Sequence, residues 1–321
     1  MKERSTKSHE TALKYFLVRL AFRVVSCDLV DRSFVFLLVF IVAVTTNASA
    51  QTRKPATPGA TASSLDLSKF DLRRVYDNNF AKPQKIAREE DFINKSSDGA
   101  WRRVGKPDPN AEWIAEGWGG ATVSGGRLEV APYPLDKKVH FNASDKANRS
   151  HMVVWNRRVF PSNFLLEYEM DPGVSTSGLT IVMFSANGKN GEDIFDLSLP
   201  PRRADYQTYH SGAIANYSDS YWSRNTEIES ATNRLRKNPG FKLVAEAPSL
   251  TAASTVPPYR VRILKSGAHI EVEINGKVVI RWDDSGSPLG AGRIGLRSME
   301  GVTMVAYDNF KVWELWPKMK H

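Results

Sequence analysis

Apolar and polar positions alternate with a period of two over most of the chain beyond residue 120. The segments GGRLEVAP (125–132), HMVVWNRRVF (151–160), NFLLEYEM (163–170), SGLTIVMFSA (177–186), GFKLVAEA (240–247), YRVRILKSG (259–267), HIEVEI (269–274), KVVIRWDD (277–284), GRIGLRSM (292–299) and VTMVAYDNFKVWEL (302–315) either alternate or run apolar between Gly, Pro and Asn. This pattern predicts ten strands and no long amphipathic helix, hence an all-β fold. Within EINGKV (273–278), Asn275-Gly276 falls at the centre of a two-residue hairpin, where both residues need positive φ. Many evenly spaced antiparallel strands fit a two-sheet β-sandwich of the jelly-roll kind, with its core between the sheets and an outer face shaped as a groove.

The first fifty residues break this pattern. Seven Lys or Arg precede an uncharged apolar run, FVFLLVFIVAV (34–44), which leads into the small-residue sequence Ala48-Ser49-Ala50. Basic, apolar and small-residue regions in this order predict a secretory signal cut before Gln51. The run is shorter than the roughly 20 residues a membrane span needs, so no stable span is expected after cleavage. The only cysteine, Cys27, lies in the removed segment, which leaves no thiol for a disulfide or a metal. QTRKPATPGATASS (51–64) then reads as a disordered linker; with an N-terminal extension to residue 87, it precedes a domain at 88–318.

Charge narrows the partners only slightly. The exported chain holds 37 Lys plus Arg against 31 Asp plus Glu, without a long basic block, so it favours anionic partners weakly. An exported protein without a nucleic-acid motif is not expected to bind nucleic acid. No histidines have metal-ligand spacing, and no cofactor motif occurs. WDDSGS (282–287) lacks the later acidic positions of a complete calcium loop and leaves open a structural calcium only.

Three blocks carry a family resemblance: HMVVWNRRVFPSNFLLEYEM, then YHSGAIANYSDSYWSRN with NRLRKNPGFKLV, and GRIGLRSMEGVTMVAYDNFKVWEL. Together, over most of residues 88–316, they resemble the YesU-like family of unknown biochemical function. That resemblance implies a concanavalin A-like or galectin-like jelly roll and an association with bacterial polysaccharide utilisation. The last block is also similar to the closing strands of laminin-G-like and 3-keto-disaccharide hydrolase domains. Family membership implies no catalytic residues.

The stretch YHSGAIANYSDSYWSRN (209–225) concentrates the candidate chemistry. Sugar rings present an apolar C–H face on which Tyr and Trp stack while their polar tips hydrogen-bond. Tyr209, Tyr217, Tyr221 and Trp222 suit that task, and Arg224, Asn225, Arg236, Lys237 and Asn238 suit the carboxylates or sulfates of an acidic glycan. His151, Trp155 and Arg157 share one face of a strand and form a second candidate groove floor.

Three functions stay open. A polysaccharide lyase would use His210 as base, Tyr217 or Tyr221 as acid, and Arg224 to hold the uronate carboxylate. A non-catalytic module would only bind. A glycoside hydrolase needs carboxyl groups about 5 to 10 Å apart, for which Glu167 and Glu169, or Glu192, Asp193 and Asp196, are the nearest clusters.

Overall fold

Alternation leaves each strand with one apolar face, and the computed structural model shows what covers it. Residues 64–132, 151–173, 179–223, 232–248, 257–299 and 304–318 are described. Residues 1–63, with the expected signal segment, fall outside them, and the described residues belong to one compact unit. Among the described residues no helix is long and apolar enough to cross a membrane.

The described strands are β1 (Phe70–Asn78), β2 (Ile86–Arg88), β3 (Ile93–Lys95), β4 (Trp101–Arg103), β5 (Trp113–Gly117), β6 (Gly120–Ser124), β7 (Arg127–Ala131), β8 (Met152–Asn156), β9 (Phe164–Asp171), β10 (Thr180–Gly188), β11 (Ile214–Ser223), β12 (Thr232–Asn238), β13 (Lys242–Pro248), β14 (Tyr259–Ser266), β15 (His269–Ile274), β16 (Lys277–Asp283), β17 (Arg293–Ser298) and β18 (Val305–Pro317). One short helix, α1 (Tyr206–His210), precedes β11. The first sheet runs β16, β15, β14, β9, β18, β7, β6, with β1 also paired to β18; the second runs β13, β12, β11, β10, β17, β8, β5, β2. Strands β3 and β4 form a separate ribbon. The expected antiparallel sandwich is present, with one parallel pair, β2 on β5, at a sheet end. Asn275 and Gly276 both take positive φ in the hairpin between β15 and β16, as their turn geometry requires.

The domain begins earlier than residue 88. Strand β1 runs antiparallel to β18 from Phe70 opposite Pro317 to Asn78 opposite Phe310. Of its nine residues only Tyr76 is buried, so this edge strand carries almost no alternation by which to be read.

The inner faces of the sheets enclose an aromatic core that includes Trp113, Phe164, Tyr168, Phe184, Tyr217 and Phe310. Polar groups within it are mostly paired. The Tyr168 and Tyr221 hydroxyls lie 2.8 Å apart, and Tyr307 Oη lies 2.8 Å from Thr180 Oγ1. Asp219 is fully buried beside Tyr221 and Asn233, yet neither carboxyl oxygen has a well-aligned hydrogen bond.

The second sheet also has an apolar outer face. Ile114, Val153, Trp155, Ile181 and Met183 meet Phe92, Ile93, Ile194, Phe195 and Tyr209 from the segments on either side of the β-ribbon and of α1. A buried ionic cluster fastens this layer. Arg202 donates to Glu116 through Nε at 3.1 Å and through Nη2, while Arg103 Nη2 donates to Glu89 Oε1 at 2.9 Å. Glu116 Oε2 also accepts from Tyr209 Oη at 2.6 Å and Trp155 Nε1 at 2.9 Å. Glu89 accepts the backbone N–H groups of Arg202 at 3.1 Å and Arg203 at 2.7 Å. Burial would raise the Glu116 carboxyl, but Arg202 and Arg103 hold it below the usual carboxylate range.

Two buried acids set the response to pH. Burial, with the Glu116 charge next, pushes Glu89 up to about 7, and burial pushes Asp219 up to about 7. Unfolded, both titrate near the ordinary carboxylate value of ~4. The folded state therefore holds more protons than the unfolded chain between about 4 and about 7. Unfolding free energy should fall as pH rises through that window, by at most ~1.4 kcal/mol per pH unit for each group. Thermal melts across the window should show Asp219→Asn flattening part of the fall and matching or exceeding the parent above neutrality. An unchanged slope in that variant would contradict a protonated Asp219.

Candidate functional site

The outer face of the second sheet is set by register. One row across its strands reads Arg234, Ser220, Ile181, Arg297, Val153, Glu116, and the next reads Arg236, Ser218, Met183, Gly295, Trp155, Ile114. A Cβ on Gly295 would lie 2.4 Å from a Trp155 ring carbon, so the glycine lets the indole lie across β17. The β5 and β8 end of each row is covered by the layer described above. Toward β10, β11 and β12 the face opens into a narrow cleft, with Ser218, Ser220, Arg236, Asn238, Met183 and Arg297 among its lining residues.

Aromatic side chains wall this cleft. Asp205 caps α1 by accepting the Gln207 N–H at 3.0 Å, and Tyr206 and His210 lie one helical turn apart with ring centres 4.5 Å from each other. The turn between β12 and β13 is pinned to the same helix, because Gly240 N and Phe241 N donate to the His210 carbonyl at 2.7 and 3.2 Å. Phe241 takes φ of +53° in that turn, with its ring centre 4.4 Å from that of His210. The Arg236 guanidinium lies 4.2 Å from the Phe241 ring centre, and that of Arg297 lies 5.0 Å from Tyr206. The result is a ladder in the order Arg236, Phe241, His210, Tyr206, Arg297. His210 Nδ1 lies 2.6 Å from Ser211 Oγ.

The cleft is electropositive. None of its lining residues is Asp or Glu. Arg297 Nη2 donates to His151 Nδ1 at 2.9 Å and to the Ala204 carbonyl at 3.3 Å. Burial and the Arg297 charge drive His151 down to about 3, so it is a neutral acceptor. Burial lowers Arg297 too, though a guanidinium stays charged in proteins. Arg297 Nε and Arg234 Nη2 are buried donors without a hydrogen-bond acceptor, and Asn238 Oδ1 is a buried acceptor without a donor. Such groups are uncommon in folded proteins.

The expected site residues divide between two faces. Tyr209, Arg236, Asn238 and His210 line the cleft. Tyr217 and Tyr221 do not, because on β11 the odd positions point into the sandwich and the even serines point out. The Tyr217 hydroxyl donates to Asp284 Oδ2 at 2.5 Å and accepts from Leu289 N at 2.9 Å, and Tyr221 is held by Tyr168. Lys237 shares the inward side, donating to Asp284 Oδ2 at 2.6 Å. Tyr209 and Trp155 are buried and stacked on each other, both bonded to Glu116; Tyr209 reaches the cleft lining and Trp155 does not. His151 is buried behind Arg297, and Arg157 donates to the Pro109 carbonyl away from the cleft. Arg224, Asn225 and the Trp222 side chain lie outside the described residues.

The carboxylate clusters are engaged elsewhere. Glu167 accepts from Arg260, Glu169 from Asn309 at 3.1 Å, and Asp193 from Arg293. Glu192 accepts from Asn190 and Asp196 from Ser198, both on exposed turns. In the loop considered for calcium, Asp284 is taken by Lys237 and Tyr217, and Asp283 lies 2.8 Å from His269 Nδ1.

Sequence reasoning missed Tyr206, Phe241 and Arg297. Tyr206 stands four residues before His210, a helical spacing inside YQTYH, and Arg297 holds an alternate position among the apolar residues of GRIGLRS. Phe241 follows a Pro-Gly pair, a turn signal that places it at a hairpin tip.

Comparison with known proteins agrees with this architecture. The crystal structure of a protein of unknown function with galectin-like fold from Bacillus subtilis superposes with a TM-score of 0.59 at 26% identity, covering 78% of this chain and 100% of that one. The "Uncharacterized protein YesU" of Bacillus subtilis (strain 168) is 34% identical over 209 residues, 63% of this chain and 88% of the relative. The model of the family described as "Domain of unknown function (DUF1961)" matches residues 103–312, and the chain belongs to that family.

Proposed function

We propose that the cleft binds an acidic oligosaccharide. The observation that carries this reading is the ladder Arg236, Phe241, His210, Tyr206, Arg297. Half-buried aromatic rings meet the apolar face of a sugar, and the guanidinium groups offer planar forks to its carboxylate or sulfate. Ser218, Ser220 and Asn238 supply short polar groups for ring hydroxyls.

A catalytic extension is favoured by the closeness of His210 and Tyr206. Against a uronate, His210 removes the proton α to the carboxylate while Arg236 neutralises that carboxylate. The C–H electrons form the new C=C bond, the β C–O bond breaks, and Tyr206 protonates the leaving oxygen. The tyrosine partner is Tyr206, since Tyr217 and Tyr221 face the core. A hydrolase has no carboxylate pair in this cleft among the described residues. We place the activity outside the cytoplasm on the strength of residues 1–50; N-terminal sequencing of the secreted protein should start at Gln51.

The test is a panel of acidic and neutral polysaccharides with binding, ultraviolet absorbance and reducing ends followed together. Acidic glycans should bind with strong salt dependence, and Arg236→Ala should weaken them roughly 10- to 100-fold, as loss of a charge-assisted hydrogen bond implies. If elimination occurs, absorbance and reducing ends rise together, and His210→Ala and Tyr206→Phe abolish both while binding persists. Binding without either signal leaves a glycan-binding module. Preference for neutral glycans would overturn the reading.

A further inference from the structure

Trp101, Trp118 and Arg203 come from β4, from the turn after β5 and from the connection before α1, and they meet at one surface. The Arg203 guanidinium lies 4.1 Å from the ring centre of Trp101 and 5.9 Å from that of Trp118, and each tryptophan keeps 37% of its area exposed. Indoles carry large apolar area and are normally covered, so two of them partly exposed beside one cation form an amphipathic platform.

The backbone is arranged to present it. Arg203 and Ala204 take φ of +52° and +56°, left-handed values that are strained for a non-glycine residue. The adjacent arginines consequently part: Arg202 turns inward to Glu116, and Arg203 turns outward to the indoles. Glu89 holds the turn by accepting the Arg203 N–H at 2.7 Å. The platform also adjoins the cleft. The carbonyl of Ala204, next to Arg203, accepts from Arg297, and the β5 row position Glu116 lies two strands from Arg297 through Val153, about 10 Å at sheet spacing.

We infer that Trp101, Trp118 and Arg203 form a second subsite, which takes a further acidic sugar ring of the oligosaccharide held in the cleft. This rests on the reading of the cleft given above. The ring packs its C–H face on exposed indole, and its carboxylate or sulfate meets Arg203. A chain crossing the strands of the second sheet then touches both places, so affinity grows with ligand length.

Calorimetry with the full chain tests this, using short and long oligouronides from polygalacturonate and alginate and sulfated oligosaccharides from carrageenan. The hexasaccharide of the preferred series should bind at least about tenfold tighter than the disaccharide, a ratio within reach of one stacked ring plus one charged contact. Trp101→Ala, Trp118→Ala and Arg203→Ala should each remove most of that ratio and leave disaccharide affinity unchanged, whereas Arg236→Ala should weaken both lengths. Arg203→Lys keeps charge and fold but loses the planar fork, so it should lower the ratio even if a tryptophan variant fails to fold. Variants that keep the full length dependence would overturn the second subsite and leave the cleft standing. A parent protein that binds none of these ligands would remove both.

Discussion

The site depends on two carboxylates and two guanidiniums buried on the outside of the second sheet. Glu89, Arg103, Glu116 and Arg202 join strand β5, the 3-10 turn at Glu89–Phe92, the β-ribbon and the long connection between β10 and β11. The two guanidiniums face Glu116, held below the usual carboxylate range, and Glu89, pushed up to about 7, and the carboxylates also accept hydrogen bonds from backbone, tyrosine and indole, which offset part of the cost of burial. The cluster orders a layer that would otherwise lack regular structure. Helix α1 starts four residues after Arg202, so its direction, and with it the positions of Tyr206 and His210, follows from the ionic anchor.

That anchor divides one sheet face into two environments. Where β5 and β8 run, the overlying layer excludes water and Trp155 and Tyr209 serve packing; where β11 and β12 run, serines and arginines replace the apolar alternates. An apolar layer could not close over buried Arg297 without supplying an acceptor for its Nε. The open end of the face and its arginines are thus a single constraint.

Much of the fold was legible because a period of two survives in every strand buried on one face. Asn275-Gly276 and the alternation in β9, β14 and β15 needed no tertiary information. Strand β1 escaped because an edge strand with a single buried residue shows no period. Within Tyr209–Asn225 the aromatic richness was visible but its side was not. Alternation states that Tyr217, Asp219 and Tyr221 share a face; it does not state whether that face meets the core or the solvent. Polar alternates suggested an exposed strand, whereas the second sheet is packed on both faces and the serines belong to a cleft floor. Arg236, Asn238 and His210 kept their place because they point to that floor or stand at its wall. Convergence of Arg202 with Glu116, or of Arg203 with two tryptophans, joins residues about a hundred positions apart and leaves no local signal.

The strained turn at Arg203 and Ala204 ties these levels together. A left-handed pair without glycine persists only where surrounding contacts over-determine it. Here Glu89 holds one N–H and Tyr209 Oη accepts the other at 3.1 Å, so both partners of the turn belong to or touch the ionic cluster. The same few atoms direct Arg202 into the interior, Arg203 onto the indoles and the Ala204 carbonyl to Arg297. Stability and the shape of the cleft wall therefore share one support, and a change at Glu89 would be felt at the cleft wall before it was felt in the core between the sheets.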